Sequence, residues 1–465
     1  MKKASLLFLA FTLGIPLSAK EAPRKIERTI SFSSGYLKFA NSNKALSGFA
    51  QEMRQGVDCL FDHVAEGDWG TRNREWLVLL NMIPSYYTWT VLGFMYHELG
   101  HFARSKAEGG NPFFYDERKR DEPDPQKARD EGYTNPFSYT LQRMVYPIPK
   151  GVTYTGVHLN KNVIIYRGLS SAEKDILDTL IDTMGSQDAY SFLVGAADGF
   201  AQGATPAQVE TARKVLRNVK ELDFISSAAG VNNSMRYAGD MSDGVQRGNG
   251  HIASFMDYFM AKVDTLIYPV DESRSGNDMT AIRDNYKDRG IKIVPRDYKI
   301  GSAVAAFCSA STWAYIWGYM DFFETGNTVV PKPELYGVRL PDIESYIMFQ
   351  GLTYKVKTGY NVDDTFSIPV AVEFFSKGPG KGAEWTLGAE KSFEDFYDMT
   401  LMGSITFGRA LGWEFAVRQP IADQFFVEAS VGHMRYKGFH GQRNISSLKK
   451  SDKETSFLIR AGLRY

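Results

Sequence analysis

The spacing of apolar residues along the chain changes near residue 335. Before that point they recur at three- and four-residue intervals, which is typical of amphipathic helices. The clearest case is Ser171–Met184, where Leu177, Leu180 and Ile181 share one stripe. From Leu335 onward, apolar residues occupy every second position, which is typical of strands. The pattern predicts an α+β chain, with a mainly helical N-terminal part followed by an antiparallel β-meander.

Two long uncharged stretches lie in the helical part, at Trp76–Tyr96 and Gly301–Met320. Their length would suit a membrane span. Pro84 interrupts the first stretch, so a helix is expected before it and another after it, packed as a buried hairpin. Both interpretations stay open at this stage. Further helices are predicted at Gln187–Gln202, Thr205–Ser226 and Asn249–Ile267.

The C-terminal part is predicted to contain about seven strands in roughly 130 residues. Each strand has one apolar face and one small, polar or charged face. A transmembrane barrel with a polar lumen has this pattern, and so has a soluble sheet that packs on a helical domain. An eighth strand is expected from Thr29–Phe39 or near Leu335. The last segment, Phe457–Tyr465, alternates and ends on an aromatic residue, so it resembles the closing strand of bacterial outer-membrane β-barrels.

The N-terminus predicts export. Lys2 and Lys3 precede the apolar run Ala4–Ile15, and Ala19 supplies a small residue for cleavage. The mature chain is therefore expected in the cell envelope, at the outer membrane or in the periplasm. The predicted segments are a signal peptide (1–19), a mainly helical domain (20–333) and an antiparallel β-domain (334–465), which is a candidate outer-membrane barrel.

Charge and cysteine content exclude some classes of function. The 54 basic and 54 acidic residues cancel, so the chain has no basic footprint for nucleic acid. Its two cysteines, Cys59 and Cys308, allow at most one disulfide, so the chain is not a disulfide scaffold.

The strongest chemical motif is H-E-L-G-H at residues 97–101. On a helix, His97 and His101 lie one turn apart on the same face and can bind one metal ion. Glu98 lies between them and can take a proton from a metal-bound water. This is the H-E-x-x-H zinc signature, so a zincin-like domain with bound Zn²⁺ is expected.

A catalytic zinc needs a third protein ligand. The extended motif of metzincins would need glycine and histidine where the chain has Arg104 and Ala107, so that class is not favoured. A glutamate on a later helix, as in gluzincins, is one alternative, and Glu173 is then the candidate.

A second alternative comes from the Gly-, Asn- and Asp-rich segment Gly230–Gly250, which is interpreted as a polar loop between two helices that lines the site. Asp243 is the leading candidate ligand there. Asp240 is a candidate partner for a zinc-bound histidine, and Asn232 and Asn233 are candidate partners of the site or of the substrate.

These segments also resemble a known family. H-E-L-G-H-F followed by Gly109 is similar to the metal helix of site-2-type intramembrane metalloproteases, and 227–233 (S-A-A-G-V-N-N) is similar to a second element of that family, without its proline. Ser242-Asp243-Gly244 is similar to the family's D-G element. The resemblance implies a membrane-associated metalloprotease with Asp243 as the third zinc ligand.

The sequence thus predicts an exported zinc metallopeptidase. It would hydrolyse peptide bonds of a protein or peptide substrate through a zinc-activated water, with Glu98 as general base. The β-domain would tether it to the outer membrane or hold substrate. The alternative is a non-enzymatic outer-membrane β-barrel protein with a vestigial or structural metal site.

Overall fold

The structure is a computed structural model of the full chain. It describes residues 29–33, 43–88, 97–98, 100–101, 111–116, 153–158, 166, 168–268, 278–393, 396, 398–409, 411–422, 425–435 and 453–464. The predicted signal peptide lies outside the described residues, as does most of the charged segment that follows the H-E-x-x-H motif.

The first part of the chain is mainly helical. Its helices are α1 (Asn43–Glu66), α2 (Asp68–Arg72), α3 (Arg74–Thr88), α4 (Ser171–Met184), α5 (Ser186–Ala197), α6 (Pro206–Gln246), α7 (Phe255–Ile267), α8 (Asp278–Asp288), α9 (Pro295–Phe307) and α10 (Ala310–Thr325). A 3₁₀ turn at Ile252–Ser254 precedes α7. Residues 97, 98, 100 and 101 are also helical.

The bounds predicted for α4 are confirmed, and local chemistry explains them. The Ser170 side chain accepts a hydrogen bond from the Glu173 backbone N–H, and the Glu173 carboxylate accepts one from the Ser170 N–H. This capping box satisfies two of the free donors at the helix start. Leu177 and Leu180 are buried on the inner face. The helix ends at Gly185, which has a positive φ of 80°.

Helix α6 is much longer than predicted. The interpretation of Gly230–Gly250 as a loop is wrong for most of that segment, because α6 continues through it to Gln246 and has 41 residues. At 1.5 Å per residue it extends for about 60 Å. Two of its three glycines, Gly230 and Gly239, lie where other groups approach closely: a Cβ on Gly239 would lie 2.2 Å from Glu344 Oε1. Tertiary contact therefore overrides the low helix propensity of glycine.

The described parts of the two uncharged stretches form packed helices. Helix α3 continues through Pro84 to Thr88, so the predicted break there is wrong. Asn81 and Ser85, on either side of Pro84, both donate to the Ala253 carbonyl, which holds this part of α3 against the start of α7. The second stretch is divided between α9 and α10. Among the described residues, no helix has both the length and the apolar character that a membrane crossing requires.

The second part of the chain is an antiparallel meander of eight consecutive strands. They are β5 (Val338–Met348), β6 (Gly351–Asn361), β7 (Phe366–Lys377), β8 (Ala383–Phe393), β9 (Met399–Gly408), β10 (Leu411–Ala422), β11 (Phe425–Arg435) and β12 (Lys453–Arg464). The predicted α+β class, with helices first and a meander after them, is confirmed. The count of about seven strands was one too low.

Two short strands flank the meander. β1 (Thr29–Ser33) pairs with β12, and β4 (Glu334–Leu335) pairs with β5. Both segments that were expected to supply an extra strand therefore do so. The resulting ten-stranded sheet is open, since no pairing joins β1 to β4 in the described part of the chain. A separate two-stranded sheet joins β2 (Asn111–Asp116) to β3 (Thr153–His158).

The helical body and the sheet meet mainly at β5. Asn232 of α6 donates to the Ile347 carbonyl and accepts from the Ile347 N–H, both at 2.8 Å, so its side-chain amide extends the hydrogen bonding of the strand. Lys262 of α7 pairs with Asp342 at 2.8 Å, and both side chains are fully buried. A buried pair of this kind needs close to ideal geometry to be tolerated, so it fixes how α7 lies on β5.

A second buried ionic cluster attaches α1 to the start of α7. Arg54 pairs with Asp58 at 3.2 Å and with Asp257 at 2.8 Å. His251 lies between two carboxylates, at 3.3 Å from Asp58 and 2.8 Å from Asp62. Burial alone would raise the pKa of Asp58, but the positive charges of His251 and Arg54 outweigh burial and lower it.

Replacing Asp58 by Asn should destabilise the protein by about 3–5 kcal/mol, because it removes a carboxylate from two buried cations. The control is Asp288→Asn, whose exposed pair with Lys220 should contribute less than about 1 kcal/mol. Urea unfolding measures both. Since the folded-state pKa of Asp58 is lowered, its contribution is complete above about pH 4 and is lost as pH falls further. Equal destabilisation by the two variants would contradict this account.

Candidate metal centre

The two histidines of the H-E-x-x-H motif lie on one face of a buried helical turn. The imidazole ring centroids of His97 and His101 are 4.8 Å apart. This helix crosses α6 at Gly100, where a Cβ would lie 2.4 Å from the Ala229 carbonyl oxygen and 2.8 Å from Asn233 Cβ. Only glycine allows two helix backbones to approach this closely. The crossing therefore places both imidazoles directly beside α6.

Asp278 supplies the carboxylate that joins them. It is the first residue of α8, and its Oδ2 lies 2.9 Å from His97 Nε2 and 3.1 Å from His101 Nε2. The potential ligand atoms of the three residues all lie within 4.8 Å of one another, and no other group of this kind is found in the described part of the chain. Three side chains from two distant segments thus converge on one point.

The other ring nitrogen of each histidine has its own partner. His97 Nδ1 lies 3.2 Å from Asp264 Oδ2 on α7, and His101 Nδ1 lies 2.6 Å from the Ser226 carbonyl oxygen on α6. A carboxylate or carbonyl at Nδ1 fixes the ring orientation and leaves Nε2 as the free ligand atom. Metal-binding histidines in proteins almost always have such a partner.

The arrangement fits a tetrahedral ion. Bonds of about 2.0–2.1 Å separate neighbouring ligand atoms by roughly 3.3–3.4 Å, so an ion would require Asp278 Oδ2 to move back from both Nε2 atoms. Gly230 of α6 provides the space, because a Cβ there would lie 2.5 Å from both His97 Nε2 and His101 Nε2. Two imidazoles and one carboxylate match a catalytic zinc site with three protein ligands.

Contacts between histidines and carboxylates hold this cluster together. Burial opposes protonation of His97, but its hydrogen bonds to the Asp264 and Asp278 carboxylates outweigh burial and hold the pKa of His97 well above its usual value. The pKa of His101 is also raised, since the charge of Asp278 outweighs burial. For Asp278, burial acts against the histidine charges, which prevail and lower its pKa. A cation would replace these protons between the same atoms.

Two more groups lie at the cluster. Glu98 is buried, and its negative charge contributes to raising the pKa of both His101 and Tyr268. The Tyr268 ring stacks on His97 with centroids 5.5 Å apart, and its hydroxyl donates to Asp278 Oδ2 at 3.3 Å. Burial, followed by the charge of Asp278, raises the pKa of Tyr268, so the hydroxyl keeps its proton and remains a donor.

The carboxylates predicted from sequence as the third ligand lie elsewhere. Asp243 forms an ion pair with Lys357 of the sheet at 2.6 Å, and along α6 it lies about 20 Å beyond Gly230. Glu173 caps α4 and pairs with Lys214 at 2.6 Å. Glu173 and Asp243 therefore each have a basic partner away from the two histidines. The carboxylate beside the two histidines is Asp278, which the sequence reasoning missed.

The other predicted residues divide between two locations. Asn233 lies at the helix crossing beside Gly100, close to the metal cluster. Asn232 hydrogen-bonds β5, and Asp240 lies nearly three turns further along α6 than Gly230. Of the segment Gly230–Gly250, the structure thus places Gly230 and Asn233 beside the H-E-x-x-H turn, while the rest of it continues along α6 away from the histidines.

Gly230→Ala should abolish or strongly weaken Zn²⁺ binding, because its methyl group would occupy the space in front of both Nε2 atoms. Gly244→Ala is the matched control on the same helix, since a Cβ there meets nothing within 4 Å. The control should bind Zn²⁺ normally and gain up to about 1 kcal/mol in stability from its better helix propensity. Isothermal titration calorimetry measures Zn²⁺ affinity. Unchanged affinity in Gly230→Ala would exclude this location for the ion.

Comparison with known proteins assigns neither a family nor a function to this site. No protein-family model, no curated protein and no solved structure matches the chain. Interpretation of the site therefore depends on its own residues.

Proposed function

We propose that the protein is a zinc-dependent metallopeptidase in which His97, His101 and Asp278 hold the ion and Glu98 is the general base. The observation that carries the proposal is the convergence of His97 Nε2 and His101 Nε2 on one oxygen of Asp278, at 2.9 and 3.1 Å. Structural zinc sites in proteins are usually closed by four protein ligands. A site with three protein ligands leaves the fourth position of the ion open for water, and a buried glutamate lies beside it, so a catalytic role is favoured.

Zinc bound there would polarise a substrate carbonyl and make a water molecule acidic near neutral pH. The chain's own residues account for the remaining requirements. Glu98 follows His97 directly, so its carboxylate is available to accept a proton beside the ion. Asp264 keeps His97 in the orientation that presents Nε2. The Tyr268 hydroxyl is a protonated donor next to Asp278, suited to stabilise negative charge on a substrate oxygen.

The burial of the site favours an extended substrate. The side chains of His97 and His101 are 7% and 9% exposed, whereas that of Asp278 is 21% exposed. Approach is therefore easiest from the side of Asp278. A folded protein surface would not reach these atoms, but an extended peptide segment has a narrow enough cross-section. A protein or peptide with an unfolded segment is thus the proposed substrate class.

The alternative is a metal site that only stabilises the helical body. It is favoured by one observation: His97 and His101 contact Asp264 and Asp278 at 2.9–3.2 Å, and these contacts connect the H-E-x-x-H turn to α7 and α8. Such a site would be structural, and Glu98 would then be dispensable.

Zinc content tests the ligand assignment. Purified wild-type protein should retain about one Zn²⁺ per chain after dialysis, whereas His97→Ala and Asp278→Ala should lose it. Glu173→Gln and Asp243→Asn, which change the carboxylates favoured by sequence, are the controls and should keep it. Mass spectrometry of the metal measures all four, and circular dichroism verifies folding. A full zinc content in folded Asp278→Ala would contradict the assignment.

Glu98→Gln separates the two candidate functions. If Glu98 is the general base, the variant should keep its Zn²⁺ while hydrolysis of unfolded protein substrates falls by about 10²–10⁴-fold. Fluorescent casein and a quenched peptide library provide the assay. Zinc-loaded wild type without hydrolysis, or with hydrolysis that Glu98→Gln leaves unchanged, would favour the structural role.

A further inference from the structure

The sheet has an inverted distribution of polarity, with its apolar side chains outside. On β8, β9 and β10, large apolar side chains on one face alternate with residues on the opposite face. Six of these apolar side chains are 42–54% exposed: Trp385, Leu387, Ile405, Phe407, Trp413 and Phe415. The strand register places them side by side. Trp385 lies opposite Phe407, and Trp413 lies opposite Ile405. They form one continuous apolar surface, called here the outer face.

The opposite face of the same strands carries charges. The register aligns Glu344, Lys355, Glu373 and Glu384 in one row across β5 to β8. A charged pair, Arg418 and Glu428, lies side by side on β10 and β11. Of these residues, Glu344, Glu373 and Glu384 are buried.

Part of this charged face contacts the helical body directly. Lys357 of β6 donates to the Gly239 carbonyl oxygen of α6 and pairs with Asp243, both at 2.6 Å. Lys357 also pairs with Glu344 at 2.7 Å. Apolar residues near the β5–β6 turn also pack in the helical core, but on β8 to β10 the large apolar side chains lie on the exposed face, opposite the charged residues. A soluble sheet on a helical body has the reverse arrangement.

Strand length matches a bilayer. Strands β6 to β12 have 10–12 residues each. A tilted strand needs about 9–11 residues to cross the hydrocarbon layer. Lys391 lies near a strand end, two residues before Phe393, the last residue of β8. Long cationic side chains at such positions can reach the lipid headgroups.

Exposed side chains on the same face continue this surface onto β7, β11 and β12: Phe374, Phe425, Phe457 and Ile459. We propose that the outer face, from β7 to β12, contacts the hydrocarbon of a lipid bilayer, and that the helical body with its metal cluster lies on the polar side of the sheet, away from lipid. A second copy of the chain fits this surface less well. Neighbouring strands rotate by about 20–25°, so six strands turn the face by roughly 100°. A rigid partner would cover part of such a surface, whereas fluid lipid chains follow it throughout.

Lipid contact is tested by fluorescence quenching in vesicles. The full chain is reconstituted into phosphatidylcholine vesicles whose acyl chains carry bromine, which quenches tryptophan at short range. Trp385→Phe/Trp413→Phe should lose at least half of the quenched signal. Trp69→Phe/Trp76→Phe, which removes two exposed tryptophans of the helical body, is the control and should lose little. Equal loss in the two variants, or no quenching in the wild type, would overturn the proposal.

A charge substitution provides a test that does not depend on tryptophan. Ile405 on the outer face and Ile300 on α9 are similarly exposed, at 54% and 47%. Ile405→Asp should lower the amount of protein recovered with the vesicles at least tenfold, whereas Ile300→Asp should leave that amount unchanged. If the outer face were in water, Ile405→Asp would be neutral. Equal recovery of both variants, or a wild type that stays in the soluble fraction as a dimer, would contradict lipid contact.

Discussion

The candidate site depends on one oxygen atom of Asp278. That atom lies about 3 Å from His97 Nε2 and His101 Nε2, and it joins the H-E-x-x-H turn to the start of α8. Separate acceptors on α6 and α7 hold the other nitrogen of each ring. Four segments of the chain therefore meet around two imidazoles. Such convergence has a large conformational cost, which helix packing offsets.

Glycine makes that packing possible at two adjacent points. Gly100 lets the H-E-x-x-H turn contact α6, and Gly230 leaves room in front of the ring nitrogens. Each glycine costs its helix about 1 kcal/mol relative to alanine. Contacts between α6 and β5, including the two hydrogen bonds of Asn232 to Ile347, help to hold α6 in place despite that cost. The sheet thus supports the site without contributing a ligand to it.

Local features of this structure could be predicted from sequence, and long-range ones could not. The bounds of α4 follow from its own cap and stripe, and the helical placement of His97 and His101 follows from their spacing. Period-two alternation predicted the meander. Asp278 was missed because it lies 177 residues after His101, at a helix start where an aspartate has an ordinary local explanation. The predicted helix ended twenty residues before the true end of α6, because the segment beyond it is rich in glycine; Gly230 and Gly239 are needed for close tertiary contacts that spacing does not reveal.

The central claim is that one ion lies between His97, His101 and Asp278. Crystals of the full chain grown with Zn²⁺ and measured at the zinc absorption edge test it most directly. The account predicts one strong anomalous peak, about 2.0–2.2 Å from both Nε2 atoms and from an oxygen of Asp278. A fully loaded crystal with no peak at this position, or with the peak bound to Asp243 instead of Asp278, would contradict it.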